Sequence, residues 1–241
     1  MESNLATLHR KEERLRSEHL KLIEKREDLG DHIKLIQDAM NVIWAFTHDH
    51  THRSDDELTL QFLGIRLFNT AASSIKLAHA GYYQNAFSAL RDLLETYFLV
   101  DYLCSNRHQI SEWRAASNEE LRGRFGPNAI RQALDKRDGF KEGKRKIIYD
   151  LISHHATHAT PSGFRMTVKD QLGEIGPFYS EENFVAWIQE AVKMLSHVGI
   201  IFASAFTEVE DRFLLLKSDY IQDLNAWKRK HFGGPDVWTE I

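Results

Sequence analysis

Apolar residues open the chain with a seven-residue rhythm: Leu8, Leu15, Leu22, Leu29, Ile36 and Ile43. With these at heptad position a, position d holds Leu5, Glu12, His19, Arg26, Ile33 and Met40. A seven-residue apolar repeat sustained in this way predicts a long coiled-coil-like helix over residues 1–47. The seam is polar at d in its first half, through Glu12, His19 and Arg26. The first half is therefore expected to pack loosely or against a specific partner, while Ile33 to Ile43 dock into a core. Gly30 is the expected join, since a glycine inside a helix costs about 1 kcal/mol relative to alanine.

Beyond residue 47 the periodicity remains helical. Ser54-Asp55-Asp56-Glu57 has the pattern of an N-cap followed by acids in the first turn, and a helix is predicted from there to His79. Gly81 separates it from a helix over Tyr82 to Cys104 that is apolar nearly all round and so expected at the centre. Shorter helices follow around Trp113, after Ser117, and after Gly126-Pro127 through Leu134. Another is predicted over Lys144 to His158. Ser180-Glu181-Glu182 caps a long apolar helix, a last helix ends near Phe232, and Gly233-Gly234-Pro235 releases a tail. No proline precedes Pro127 and strand-type alternation is absent. The expected fold is all-α: a helical bundle core over 54–232 with the N-terminal helix before it and a tail at 233–241.

Composition narrows this little. Of 241 residues 42% are hydrophobic and 11% aromatic, enough for a substantial core. The net charge of −4 produces no global attraction to nucleic acid or membrane. A single cysteine, Cys104, excludes an internal disulfide and suits a reducing compartment, so a cytoplasmic location is expected. The N-terminus lacks a secretory apolar stretch, and the most apolar window, His197 to Phe206, is about half a membrane span; no membrane is expected as a partner. Glycine-rich phosphate loops, nucleophile elbows and Cys-x-x-Cys pairs are missing, which disfavours P-loop ATPases, Rossmann dehydrogenases, α/β-hydrolases and zinc ribbons. No cofactor is expected.

Three places can carry chemistry. In the third helix Ser88, Arg91 and Glu95 share one line within an apolar segment. A desolvated Arg–Glu pair is costly unless other groups complete its hydrogen bonds, so it marks either a structural network or a site. Asp150, His154 and His158 are spaced by four and share a face. Histidines so spaced can hold a metal, with a second run at His48, His50 and His52; helix-end histidines that complement the dipole are the alternative. From Arg122 to Lys146 nine basic residues face three acidic ones. Within that stretch Lys144-Arg145-Lys146 opens a helix, as an RNA-backbone contact or as a solvated face.

The stretch from Ala86 to Leu103 with Arg91 and Glu95, followed by Tyr149, Ser153 and His158, resembles a widespread group of uncharacterised bacterial helical proteins. That group carries an Arg-x-x-x-Glu helix, then Tyr-x-x-x-Ser and a histidine, and the match spans roughly residues 60–210. It is similar in outline to HEPN proteins, helical bundles that include toxins and RNA-cutting effectors. HEPN proteins place a histidine shortly after an arginine, a spacing met here only by Arg14 and His19. The resemblance implies an RNA-directed effector or ribonuclease using Arg91, Glu95 and His158, with His154 as a further acid–base candidate. The same outline implies a dimer, here through the N-terminal helix, with RNA and a protein partner as further expected partners. The alternative is a non-enzymatic oligomerising module; a metal-dependent hydrolase stands third.

Overall fold

The computed structural model describes residues 4–141, 143–157, 160–169 and 171–233. Among these it is an all-α helical bundle. Its helices are α1 (Asn4–Lys25), α2 (Glu27–Trp44), α3 (Asp55–His79), α4 (Tyr83–Ser105), α5 (Gln109–Ala115), α6 (Asn118–Arg122), α7 (Pro127–Arg137), α8 (Lys144–Ile152), α9 (Glu181–Ala205) and α10 (Asp211–His231). Wider π-helical turns extend α2 over Ala45–Asp49 and α8 over Ser153–Thr157. The chain between α8 and α9 holds a short 3₁₀ helix, Pro161–Thr167, and a hairpin of β1 (Val168–Lys169) and β2 (Leu172–Gly173). That hairpin is too short to show as alternation in the sequence.

The predicted caps form. The Ser54 side chain accepts from Glu57 N–H at 3.2 Å and Ser180 from Asn183 N–H at 3.2 Å. Ser117 and Glu120 make a reciprocal capping box, and Pro127 stands in the first turn of α7. The α4 helix is central as its apolar circumference requires, packed by α3, α7, α8 and α9. Against α3 it runs antiparallel, because Arg66 meets Thr96, Thr70 meets Asp92 and Ser74 meets Ala86. Trp187 of α9 is fully buried, and its indole N–H donates to Ser74 Oγ at 2.9 Å, which fixes α9 across that pair.

The N-terminal segment is two helices rather than one. Arg26 leaves the helical conformation (φ −120°, ψ 104°), and Glu27 and Asp28 open α2 with acids where the dipole favours them. Gly30, the expected join, stays inside α2. The second half docks as predicted: Leu29, Leu35, Ile36, Ala39, Val42 and Ile43 are buried, mostly against α9. The a positions of α2 are thus consumed within the monomer.

His19 was a flaw in the heptad seam; in the fold it is an anchor. It is completely buried, stacked 4.0 Å from the Phe184 ring. Nδ1 lies 2.8 Å from the His79 carbonyl, which can only accept, so Nδ1 carries the proton. Nε2 must then accept from the Tyr83 hydroxyl at 2.9 Å, and that oxygen accepts from Ser180 N–H at 2.8 Å. The relay holds α1, α4 and the start of α9 together only with His19 neutral. Glu12, a second polar d residue, accepts from Tyr82 at 2.8 Å. Polar positions in the seam therefore serve hydrogen bonds to the bundle.

Two tests follow from this packing. At Gly64 of α3 an added Cβ would lie 2.3 Å from the buried Phe202 ring and 2.5 Å from Thr47 Cγ2. Gly64→Ala should lower the unfolding free energy by roughly 1–3 kcal/mol, read from urea midpoints. Burial lowers the pKa of His19, and it drives His79, whose Nδ1 has no partner among the described residues, from 6.5 down to about 4. The unfolded chain then binds protons first as pH falls. Stability from these neutral rings should be complete above pH 6.5 and be lost progressively toward pH 4. A His19→Gln variant should flatten that slope in urea melts; an unchanged slope would exclude the relay as its source.

Candidate functional site

Helix α4 presents Gln84, Ser88, Arg91 and Glu95 along one line, and the segment from Tyr149 to Ala156 lies over that line. At one end Ser88 Oγ donates to the Ala156 carbonyl at 2.9 Å, joined by Gln84 Nε2 at 3.4 Å. In the middle Arg91 Nε donates to Ser153 Oγ at 2.9 Å, and Ser153 is buried. At the other end Glu95 Oε1 accepts from the Tyr149 hydroxyl at 2.8 Å and from Arg91 Nη2 at 2.9 Å. Arg91 Nη2 also contacts the Tyr149 oxygen. The π-helical turn that begins at Ser153 adds one residue per turn, a geometry that recurs at functional sites.

These contacts resolve the earlier ambiguity about desolvation. Arg91 and Glu95 keep 24% and 26% of their side-chain surface exposed, so the pair is half-buried at a surface depression. Glu95 also lines a cleft of about 300 Å³ with Arg66, Asp92, Thr96 and Phe125. There Arg66 donates to Thr96 Oγ1 at 3.1 Å and pairs with Asp92.

The sequence did not single out Arg131. Its residue exposure is 7%, and its guanidinium carbon lies 3.9 Å from the Tyr149 ring centroid; that of Arg91 lies 4.8 Å from the same ring. Both are within cation–π range. Arg131 Nε and Nη1 are buried without a hydrogen-bond partner among the described residues. Glu95 bonds Arg91 and the Tyr149 phenol, and Arg131 joins the cluster through the face of the Tyr149 ring. A signal was available in α7, where Ile130 and Leu134 are each followed by a charged residue, Arg131 and Asp135. All four side chains are buried.

The remaining candidates distribute unevenly. His154 is exposed, on the same turn as Ser153. His158 lies outside the described residues. Of Lys144-Arg145-Lys146 only the two lysines face solvent. Arg145 is buried and bonded to Asp135 at 2.9 Å and to Asp138, because α8 packs on α7 and brings its guanidinium between those carboxylates. The basic stretch is further neutralised by Arg124–Glu112, Arg137–Asp101 and Lys146–Asp150 pairs. His50 is buried beside Glu57, and His48 pairs with Asp49 on the surface. Among the described residues no three His, Cys, Asp or Glu side chains come close enough to hold a metal. Arg14 pairs with exposed Glu18 while His19 is buried in its relay, so that HEPN-spaced pair builds no joint site. Burial pushes the Cys104 thiol up to about 12, which keeps it un-ionised at neutral pH. The α9 helix is long and apolar enough to cross a membrane, but Phe184, Trp187, Ile188 and Phe202 on it are buried in the bundle.

No family model, curated protein or solved structure matches this chain.

A buried guanidinium short of hydrogen-bond acceptors is costly, whereas apolar replacement of buried charge is often neutral or stabilising. Arg131→Met should leave the urea midpoint unchanged or raise it. A loss of more than about 2 kcal/mol would mean that the Arg131–Tyr149 stack is structural, with no missing anion.

Proposed function

We propose that this protein is a HEPN-like effector that acts on RNA, with the Arg91–Glu95–Tyr149–Arg131 cluster as its phosphodiester-binding centre. The observation that carries this reading is Arg131, a buried cation on the same Tyr149 ring as Arg91, whose Nε and Nη1 have no partner among the described residues. A phosphate offers several acceptor oxygens and takes charge-assisted bonds from more than one guanidinium. It would reach Arg131 by displacing the Tyr149 phenol from Glu95, a carboxylate that keeps about a quarter of its surface exposed. Lys144, exposed on the helix that carries Tyr149, supplies sequence-independent attraction for the flanking backbone, and Lys146 adds to it where phosphate competes with Asp150.

Cleavage in this reading needs no metal. An imidazole, His154 or His158, takes the proton of the ribose 2′-hydroxyl. The freed oxygen bonds to the adjacent phosphorus while the bond to the 5′-oxygen breaks. A second proton donor protonates that leaving oxygen, and the products are a 2′,3′-cyclic phosphate and a 5′-hydroxyl end. Arg91 and Arg131 stabilise the extra negative charge at phosphorus. Self-association, expected through the N-terminal helix, attaches in this proposal to α1, where Leu5 and Leu20 remain exposed and α2 does not compete.

The test is cleavage and binding of single-stranded RNA by the purified full chain, in EDTA and in Mn²⁺. Cutting in EDTA should fall by about 10²-fold or more in Arg91→Ala and His158→Ala. RNA affinity should drop in Arg131→Met. Equal cutting and affinity in all three variants would remove the proposal, and cutting only with Mn²⁺ would replace it with metal-dependent hydrolysis. Neither cutting nor binding would leave the oligomerising module as the better reading.

A further inference from the structure

On the other side of α4 lies a second and larger cavity, of about 760 Å³, between α4, α9 and the start of α8. Its volume is in the range of small-molecule sites. Its walls include Leu94, Tyr97, Ile148, Met194 and Ile201, with Met194 able to adapt to the shape of a guest. The rim is charged, and most of that charge is internally matched. Asp101 and Asp138 hold Arg137 at 2.6 and 2.7 Å, Asp138 also takes Arg145, and Glu190 takes Lys193 at 2.7 Å.

Two cations on the rim remain without a carboxylate among the described residues. Lys144 Nζ stands 4.8 Å above the Phe140 ring, and Arg107 donates one N–H of its guanidinium to the Ala205 carbonyl. Lys144 is in the first turn of α8, where a cation opposes the helix dipole, so an anion placed there would relieve an existing cost. Phe140 and Ile148, 39% and 44% exposed, leave the mouth apolar beside that charge.

We propose that this cavity binds an amphipathic anion, with an acyl chain on the Leu94–Met194–Ile201 wall and a carboxylate or phosphate head at Lys144 or Arg107. A ribose–phosphate backbone does not suit it, because that wall would strip water from phosphates and return no hydrogen bonds. The cavity lies on a different face of α4 from the Arg91–Arg131 cluster, and Lys144 on its rim is the one residue that both readings use.

The test is calorimetric titration of the full chain with dodecanoate below its micellar concentration. Parallel titrations use 1-dodecanol, inorganic phosphate and phosphatidylglycerol vesicles. One dodecanoate should bind per chain, at least tenfold more tightly than 1-dodecanol, with no competition from millimolar phosphate. Lys144→Glu should weaken it at least tenfold. Ile201→Trp, which fills the cavity, should abolish binding, and Ser204→Trp on the exposed rim does the same job should the first variant fail to fold. Equal affinity for acid and alcohol would overturn the proposal. So would binding unchanged by these variants, or interaction with vesicles alone.

Discussion

Helix α4 is enclosed by α3, α7, α8 and α9, and almost everything else in the bundle is arranged to satisfy it. Its apolar residues can pack on any neighbour, but the polar line of Ser88, Arg91 and Glu95 cannot. Guanidinium and carboxylate groups removed from water need specific partners, and one segment, Tyr149 to Ala156, supplies them all. The requirement fixes where α8 and its π-helical extension lie. It also brings Tyr149 over Arg131, so the structural demand of α4 creates the place where charge is left over.

That leftover charge distinguishes the Arg131 cluster from the other buried networks. Elsewhere buried cations are matched. Arg145 is held by two aspartates, and Lys217 donates to the Phe206 carbonyl at the end of α9. Among the described residues Arg131 is the buried guanidinium whose Nε and Nη1 have no acceptor, while its neighbour Arg91 spends its own N–H groups on Glu95, Ser153 and Tyr149. A fold that gives Arg145 and Lys217 hydrogen-bond acceptors and leaves Arg131 short of them holds an energetic cost there, a pattern that functional sites tolerate.

The two faces of α4 contrast in chemistry. The Arg91–Glu95 face carries a polar cluster of partly exposed side chains. The Leu94–Tyr97–Asp101 face borders a roomy apolar cavity with charge confined to the rim. Phe98 lines both the smaller cleft beside Glu95 and the larger cavity.

Much of the architecture was legible in the chain itself. Caps at Ser54, Ser117 and Ser180, the break at Pro127 and the circumferential apolarity of α4 are local signals, and each acts within a turn or two of helix. The pairing of Arg91 with Glu95 was legible for the same reason, being four residues apart on one helix. What the chain could not reveal are contacts between residues far apart in sequence. Tyr149 and Ser153 were visible only as a pattern, and their role depends on α8 crossing α4. His19 looked like a defect because its partners, His79, Tyr83 and Phe184, come from other helices. The helix break at Arg26 rather than Gly30 follows from the acids that begin α2 and the docking of both halves on the bundle. Arg131 was one basic residue among nine until packing buried it against Tyr149. Helix formation and capping follow from neighbouring residues, whereas burial and the pairing of charge are set by which helices meet, and that was decided only in the tertiary structure.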